Sequence, residues 1–395
     1  MKKEALPLYL FSFFMIMPMH ALFPLLPMIR DEFNASYSQI SIFLASLGIV
    51  RLILAYPSGI LADRFNKKQV LLFSGVLCMG GLLILSFAHS FLQLLLSRVL
   101  IGFSSILCNI TILSLIAQLA RHEKKGLMMS MNNVVHNAGG IVSPALAGFL
   151  AKWFSWRVSF LAVAGLVLFS MVMLLALFKG RPTPKHQSRE TSPADPRIPL
   201  YKNTRFLFTR LVPVFAIGFF VFFYRGYFRH TIIPFFGKDV FQIEVDTLGI
   251  YFSLTAGIAM VSLSVLGYLS DRLGRKTVFL PSTFLCAIAA LFLLLPPSLS
   301  PLLMCCIFVG LGSVINSMPN ILISDLVPPH AFGRIMGFNR IFADSGYFLG
   351  TLLAGLLLDQ FGFRIPVYCI AGYALVTMLI TGLTIPNKST NLNQK

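Results

Sequence analysis

Charged side chains are scarce in this sequence of 395 residues, and acidic ones are scarcer still. Only 12% of the residues are Asp, Glu, Lys or Arg, and only 14 residues are acidic. A soluble domain carries roughly a quarter charged residues, because its surface must be hydrated. Together with 56% hydrophobic residues and a mean hydropathy of +0.81, this composition excludes an ordinary soluble protein and indicates a membrane protein.

Long apolar runs recur along the chain, and each approaches the roughly 20 residues that cross the hydrocarbon layer. The runs are predicted at 7–29, 38–62, 68–88, 91–119, 127–151, 156–178, 211–235, 246–270, 277–297, 300–326, 333–357 and 363–385. The first follows Lys2 and Lys3, as the core of a secretory signal would. No small-residue cleavage site follows it and many more runs do, so it is predicted to be a retained helix.

The basic residues are distributed unevenly. Lys and Arg number 32 and give a net charge of +18, and most of them fall in segments on the same side of the membrane as the N-terminus. This asymmetry follows the positive-inside rule. It predicts a multi-pass protein of a bacterial-type inner (plasma) membrane with both termini in the cytoplasm, and it explains the basicity without a nucleic-acid partner.

A polar, basic, Pro-containing segment at 179–210 separates six predicted helices from the other six. Such a composition cannot bury a core and is typical of a flexible linker. The predicted organisation is therefore a six-helix bundle at 1–178, a cytoplasmic linker at 179–210, a second six-helix bundle at 211–386 and a cytoplasmic tail at 387–395.

The two bundles repeat one another in sequence. Residues 59–64 match residues 267–272 at an offset of 208. Five further pairs lie 207 residues apart: Pro27 with Pro234, Gly126 with Gly333, Asn132 with Asn339, Gly148 with Gly355, and Arg157 with Arg364. The repeat predicts an all-α membrane protein of two pseudo-symmetric bundles, with a site between them at mid-depth.

The loops after the second and eighth predicted helices carry the most specific motif. They read GILADRFNKKQVL and GYLSDRLGRKTVF, which resembles the signature G-x-L-a-D-r-x-G-r-K-x-x-L of the major facilitator superfamily. The resemblance covers the whole chain and is strongest to the twelve-helix drug:proton antiporter branch. It implies the major facilitator fold, no cofactor, and a conformational switch at Gly59, Asp63, Arg64, Gly267, Asp271 and Arg272. Asn66 replaces the usual Gly in the first copy and is expected to adopt a left-handed backbone.

Two further motifs resemble this branch. Arg98 and Gly102 match the family's R-x-x-q-G signature, which implies a role for Arg98 in proton coupling; the alternative is a structural arginine bonded to carbonyls of the first helix. The fifth predicted helix reads AGGIVSPALAGFL, and its Gly139, Pro144 and Gly148 match the antiporter signature. This match implies export and a role in the conformational switch, whereas ordinary close packing against the eighth helix is the alternative.

Ionisable residues inside the membrane are functional candidates by default. Asp344 is the one acidic residue that the spans place at mid-depth. It is predicted to carry the proton, and the alternative is that it only neutralises Arg340 or an arginine across the cavity. His20 and His136 are either titrating groups or polar packing residues.

Arginines outnumber acids at mid-depth, and this imbalance favours an anionic or carboxylate-bearing substrate, because guanidinium groups bind such oxygens bidentately. The predicted substrate-binding residues are Arg51, Arg225, Arg229, His20, His136, Asn133, Asn137, Tyr224 and Tyr227. The predicted partners are this small molecule, protons and the lipid bilayer, and the chain is expected to be a monomer.

Three classes of function are weighed. A secondary transporter is favoured, either a proton-coupled exporter of a small anionic or amphipathic solute or an importer of an organic anion or nutrient. A non-transporting sensor is disfavoured by the short linker and tail. An enzyme is disfavoured because the sequence contains no H-E-x-x-H, G-x-S-x-G or Walker loop. The six cysteines lack metal-type spacing and are expected to be buried hydrophobic residues.

Overall fold

The computed structural model describes residues 2–119, 125–178, 211–327 and 329–384. The predicted linker at 179–210 and the predicted tail at 387–395 lie outside these ranges. All regular secondary structure within them is helical. Twelve of these helices are long and apolar enough to cross a membrane, which confirms the number of spans predicted from hydropathy.

The helices are numbered here in chain order. The first half consists of α1 (Lys2–Glu32), α2 (Tyr37–Arg64), α3 (Lys67–Ser86), α4 (Phe91–Leu119), α5 (Lys125–Trp153) and α6 (Trp156–Leu177). The second half consists of α7 (Val212–Val240), α8 (Val245–Leu273), α9 (Arg275–Phe292), α10 (Leu299–Leu326), α11 (Pro329–Phe361) and α12 (Arg364–Thr384).

The main helix–helix contacts of the first half are repeated in the second. Helix α1 packs on α5 as α7 packs on α11, and α2 packs on α4 as α8 packs on α10. The pairs α3–α4 and α3–α6 likewise recur as α9–α10 and α9–α12. Between the halves, α5 crosses α8 and α2 crosses α11. This packing confirms the predicted architecture of two pseudo-symmetric six-helix bundles.

Small residues bring the equivalent helices together. A Cβ atom at Gly139 would overlap the backbone carbonyl of Phe13 on α1, and one at Gly346 would overlap that of Phe219 on α7. Gly346 lies 207 residues after Gly139. Close backbone approach of this kind is how membrane helices associate, because lipid provides no hydrophobic drive between them.

Turn chemistry differs between the two signature loops. Gly274 begins α9 with a φ of +97°, as a glycine can. Asn66, at the equivalent turn, has a φ of −60°, and its side chain caps α3 by accepting a hydrogen bond from Lys68 N at 2.9 Å. The expected left-handed backbone at Asn66 is therefore wrong, because Asn can cap a helix from an extended conformation.

The two halves meet at one end of the molecule and separate at the other. The closed end bears the α1–α2 and α7–α8 connections, and there Lys152 of α5 pairs with Glu244 at 2.5 Å and with Asp246 at 2.9 Å. The open end bears the α2–α3 and α8–α9 connections. There a Cβ atom on Gly59 or Gly267 would meet no atom within 4 Å.

Helix α7 is irregular near its middle. Its α-helical start, Val212–Tyr224, gives way to π-helix at Arg225–Ile232 and again at Phe236–Val240. Helix α10 contains a 3₁₀ segment at Ser313–Ser317. Such segments often mark functional positions. Five of the six cysteines are buried as expected, whereas Cys369 is exposed on α12.

Candidate transport site

The first cavity lies among α1, α2, α4 and α5 and holds about 470 Å³, part of it open to the exterior. Its polar lining consists of Ser12, Arg51, Ser105, Asn109, Asn132, Asn133 and His136. Its apolar lining consists of Met15, Ile16, Met19, Cys108 and Ile112. Three predicted substrate-binding residues, Arg51, Asn133 and His136, are therefore brought together here.

Arg51 is half-buried, and its partners among the described residues are weak. Its Nη2 lies 2.9 Å from the Met19 sulfur and 3.4 Å from the Ser105 hydroxyl. A thioether is a poor acceptor, so most of the hydrogen-bonding capacity of Arg51 is unused. Nearby, Nδ1 of His136 lies 3.1 Å from the Ser12 hydroxyl. The first cavity thus offers a strong donor to an incoming anion.

The second cavity lies among α7, α9 and α10 and holds about 270 Å³. It is lined by Tyr224, Arg225, Arg229, Cys286, Val309, Ser313, Ile315 and Asn316. The π-helical turn of α7 directs both Arg225 and Arg229 into this space. The Arg225 Nε has no hydrogen-bond partner among the described residues, and the Tyr224 hydroxyl donates to the Cys286 carbonyl at 2.8 Å.

Asp344 on α11 lies within electrostatic reach of both cavities. Its side chain is 7% exposed and accepts a hydrogen bond from Arg340 Nε at 2.8 Å, while Arg340 itself is 53% exposed. The charges of Asp344 and Arg340 both act on Arg51 and on Arg225. The carboxylate is thus an ion-pair partner of Arg340 and a neighbour of the cavity arginines at once.

Arg98 on α4 is 1% exposed. Its Nε and Nη2 have no hydrogen-bond partner among the described residues, and its guanidinium lies 5.6 Å from the Phe43 ring centroid. Its charge also acts on Tyr347 and His230. Within the described ranges these two nitrogens form no hydrogen bonds to α1 carbonyls.

Two histidines lie between the cavities. His20 on α1 is influenced by Arg51 of the first cavity and by Arg225 and Arg229 of the second. His230 on α7 was not predicted as a site residue. Its ring stacks on Phe23 of α1 with centroids 3.9 Å apart, and its Nδ1 lies 3.1 Å from the Tyr347 hydroxyl, so it joins the halves at mid-depth.

Two predicted substrate-binding residues lie away from these cavities. Tyr227 is buried against α12, where its hydroxyl donates to the Pro366 carbonyl at 3.1 Å and its ring stacks on Phe223. Asn137 is exposed and lines neither cavity. Asn133, one turn before Asn137, does line the first cavity together with Asn132 and His136.

The predicted switch residues of the signature loops lie at the open end. Asp63, Arg64, Asp271 and Arg272 are exposed there. Asp271 pairs with Arg275 one turn later, and Arg275 also donates to Asp325 at 3.0 Å. The Arg272 guanidinium lies 4.6 Å from the centre of the Tyr268 ring.

The switch residues of α5 lie where the helices cross. A Cβ atom on Gly148 would approach the Val245 carbonyl of α8 to 2.5 Å. The Pro144 carbonyl lies against Gly249 in the same crossing. Ser143, which replaces a signature glycine, donates to the Met17 carbonyl of α1 at 2.6 Å.

An ionic cluster at the closed end was missed by sequence reasoning. Arg30 of α1 donates to Asp239 of α7 at 2.5 Å, and the Tyr37 hydroxyl of α2 donates to the same carboxylate at 2.8 Å. The Arg30 guanidinium also lies 4.6 Å from the centre of the Tyr37 ring. The repeat was the sequence signal that pointed to Asp239, because Asp239 lies 207 residues after Glu32 and so occupies the equivalent position in the second half.

Asp359 of α11 forms a second contact between the halves at the closed end. It accepts hydrogen bonds from Tyr37 N at 3.0 Å and from Ser38 N at 2.8 Å, which are free amide groups at the start of α2. Asp359 lies 207 residues after Lys152, which joins α5 to the start of α8. The two crossings are therefore fastened at equivalent positions by side chains of opposite charge.

Twelve membrane-spanning helices around arginine-lined cavities define a multi-pass membrane transporter. The family model described as Major Facilitator Superfamily matches residues 8–265 and, in a second match, residues 218–395. The chain therefore belongs to the major facilitator superfamily, as its signature loops indicated. Members of this family are transporters of small molecules and not enzymes.

Curated relatives cover nearly the whole chain. The "Hexuronate transporter" of Bacillus subtilis is 24% identical over 94% of this chain and 92% of its own. The "Multi-drug resistance efflux pump PmrA" of Streptococcus pneumoniae is 25% identical over 90% of each chain. The "Quinolone resistance protein NorA" of Staphylococcus aureus is 22% identical over 96% of each.

Solved structures share the fold. A bacterial homolog of the human lysosomal transporter Spinster, in an inward-facing and unoccupied conformation, superposes with a TM-score of 0.81 at 16% identity, covering 96% of each chain. A D-xylose-proton symporter superposes with a TM-score of 0.80 at 14% identity, covering 98% of each.

Proposed function

We propose that this transporter exports a small anionic or amphipathic solute in exchange for protons, by alternating access of a central site. The observation that carries the proposal is the charge at mid-depth. Arg51 lines the first cavity and Arg225 and Arg229 line the second, while the charge of Asp344 acts on both Arg51 and Arg225.

Anion binding is the first step of this proposal. Inside the bilayer, a guanidinium without an acidic partner is costly. The unused hydrogen-bonding capacity of Arg51 and the unpartnered Nε of Arg225 would be satisfied by carboxylate or phosphate oxygens. The methionines of the first cavity supply a soft apolar surface for the rest of an amphipathic solute.

The second step is the exchange of the proton on Asp344 against the substrate. The ion pair with Arg340 stabilises the Asp344 carboxylate, whereas without that pair the carboxyl group takes up a proton more readily. Exchange requires that Arg340 engage Asp344 while substrate is bound, so that the proton is released inside, and disengage after the substrate has left, so that a proton is taken up from outside. The charge of Arg98 acts on Tyr347, and those of Arg51 and Arg225 act on His20, so we assign Arg98 and His20 a supporting role at these arginines.

The direction of transport follows from orientation. If both termini lie in the cytoplasm of a bacterial-type inner membrane, as the positive-inside rule predicts, the open end faces the cytoplasm. A solute would then enter the cavities from inside the cell, and rocking of the halves would expose it outside. The efflux pumps among the relatives support this direction.

The test is substrate-induced pH change in proteoliposomes of known orientation, across a panel of organic anions, organic cations and drugs. We expect proton movement with anions, and its loss in Asp344→Asn. A double variant, Asp344→Asn with Arg340→Gln, separates the two roles of Asp344. Restored proton-coupled transport in the double variant would mean that Asp344 only neutralises Arg340, and selective proton movement with cations would contradict the anionic cargo.

Import of an organic anion is the second candidate, and the relative named a hexuronate transporter favours it, because a hexuronate carries a carboxylate. The two directions predict opposite responses to an imposed proton gradient. Accumulation of a radiolabelled hexuronate in right-side-out vesicles with an acidic exterior would support import. Accumulation of substrate in inverted vesicles with an acidic interior would support export.

A further inference from the structure

A carboxylate near the end of the first helix of each half has different partners in the two halves. Glu32 ends α1, and Asp239 lies at the equivalent position of α7. Glu32 accepts a hydrogen bond from Arg157 Nε at 3.1 Å, so its ion pair lies within the first half. Asp239 instead accepts from Arg30 and Tyr37, which belong to the opposite half.

The arginine that pairs with Glu32 has a counterpart in the second half, Arg364, which begins α12. Arg364 is exposed and forms no ion pair or hydrogen bond with another described residue. The preceding residue, Phe363, contacts the rings of Tyr37 and Phe236 with centroids 5.6 Å and 5.0 Å apart. Arg364 therefore begins its helix beside the cluster that holds Asp239.

Glu32 has more local donors in the first half than Asp239 has in the second. Arg157 also donates to the Ser86 and Ala88 carbonyls, each at 2.7 Å, and the Trp156 Nε1 donates to Glu32. In the second half a phenylalanine stands at the position of Trp156, and its ring has no N–H to donate. The local donors of Asp239 are therefore fewer, and the carboxylate is free to bind across the interface.

We propose that Asp239 is an exchanging carboxylate, bound to Arg30 and Tyr37 while the closed end is closed and to Arg364 when that end opens. The proposal rests on the rocking of the halves in the proposed function. Opening carries Arg30 and Tyr37 away with the first half, whereas Arg364 moves with Asp239. Opening removes both partners of a carboxylate whose side chain is only 17% exposed while that end is closed, and Arg364 is an exposed cation that moves with it.

The experiment measures the opening of each end by pulsed electron paramagnetic resonance on purified protein in lipid nanodiscs. Spin labels at Ser90 and Ser298 report on the closed end, and labels at Phe65 and Leu273 report on the open end, all in a Cys369→Ser background. Both pairs are exposed and lie in opposite halves. No substrate is needed, so the readout does not depend on cargo or on the direction of transport.

Arg30→Gln is expected to raise the population with a long Ser90–Ser298 distance about threefold, as loss of a partly exposed ion pair would. Adding Arg364→Gln is expected to return that population toward the starting value, because the open state then loses its own partner for Asp239. Arg364→Lys in the same background keeps the charge and should leave the population high.

Arg157→Gln is the matched control, since its partner Glu32 lies in the same half and should be bound in both states. It should not change the distance distribution. If Arg30→Gln opens the closed end and the added Arg364→Gln leaves that population unchanged, the halves do rock but Asp239 does not exchange its partner for Arg364. If no variant changes either distance, rocking itself fails, and the exchange fails with it. Elution of each variant as a single sharp peak in gel filtration excludes misfolding as the cause.

Discussion

The closed end and the open end of this molecule have different kinds of contact. At the closed end and the crossings, backbone carbonyls touch glycines such as Gly148 and Gly355, and carboxylates reach from one half to the other. At the open end the signature glycines Gly59 and Gly267 face empty space. The closed-end contacts therefore stabilise this conformation, and the signature loops can contribute contacts between the halves only in another one.

The largest expected effect comes from overpacking the closed-end crossing. Gly148→Leu would place a side chain against the Val245 carbonyl, and overpacking costs about 1–3 kcal/mol. Gly267→Leu, the comparison variant at the open end, has room in this conformation and should disfavour only the opposite one. Relative to the unmodified protein, the population with a long distance between labels at Ser90 and Ser298 should rise in Gly148→Leu and fall in Gly267→Leu. Equal shifts in the same direction would remove the distinction between the ends.

The next effect comes from the cap that α11 gives to α2. Asp359→Ala leaves the amides of Tyr37 and Ser38 without their carboxylate, and loss of a helix cap costs about 0.5–2 kcal/mol. We expect more opening at the closed end and faster hydrogen exchange at the start of α2. Asp359→Asn retains an acceptor oxygen and should show a smaller change. Unaltered exchange in the alanine variant would mean that the cap is not needed.

A smaller effect is expected at the other crossing. Lys152→Gln removes the pairs with Glu244 and Asp246, and exposed ion pairs contribute about 0.2–1 kcal/mol. The closed end should open more often, and high salt should produce the same change in the unmodified protein. The closed end should open less in Lys152→Gln than in Asp359→Ala. More opening in Lys152→Gln would contradict the expectation that the hydrogen bonds of Asp359 stabilise the closed end more than the ion pairs of Lys152 do.

The smallest effect is expected at the open end. Asp271→Asn breaks a pair with Arg275 that lies within the second half and is exposed. It should leave the distance between labels at Phe65 and Leu273 unchanged in this conformation. Any effect should appear only in variants that open the closed end, such as Gly148→Leu. A clear change in the otherwise unmodified protein would show that the loop acts in this conformation too.

Sequence reasoning identified the features that the membrane imposes on every helix. Span lengths, the repeat and the arginines at mid-depth follow from hydropathy and from the cost of buried charge, so Arg51 and Arg225 were found before any coordinates. The rotation of each helix was not determined, because almost every face of a membrane helix is apolar. This is why Tyr227 was predicted to bind substrate, although its side chain lies against α12.

The closed-end cluster escaped prediction for a different reason. Arg30 and Asp239 fall near the ends of spans, where charged residues are ordinary, and nothing in the sequence states that α1 and α7 end beside each other. The backbone at Asn66 was mispredicted because two local solutions, a left-handed turn and a cap, suit the same residue.

The π-helical segment of α7 has a geometric consequence for the second cavity. A π-helical turn contains one residue more than an α-helical turn over the same chain path. If Arg225–Ile232 relaxed to α-helix, the residues after it would rotate by about 100° around the helix axis, and those within it by a smaller angle. Arg229, which lines the cavity, and His230, which contacts Phe23 and Tyr347, would turn in the same movement. The wide turn thus couples the orientation of a cavity arginine to a contact between the halves.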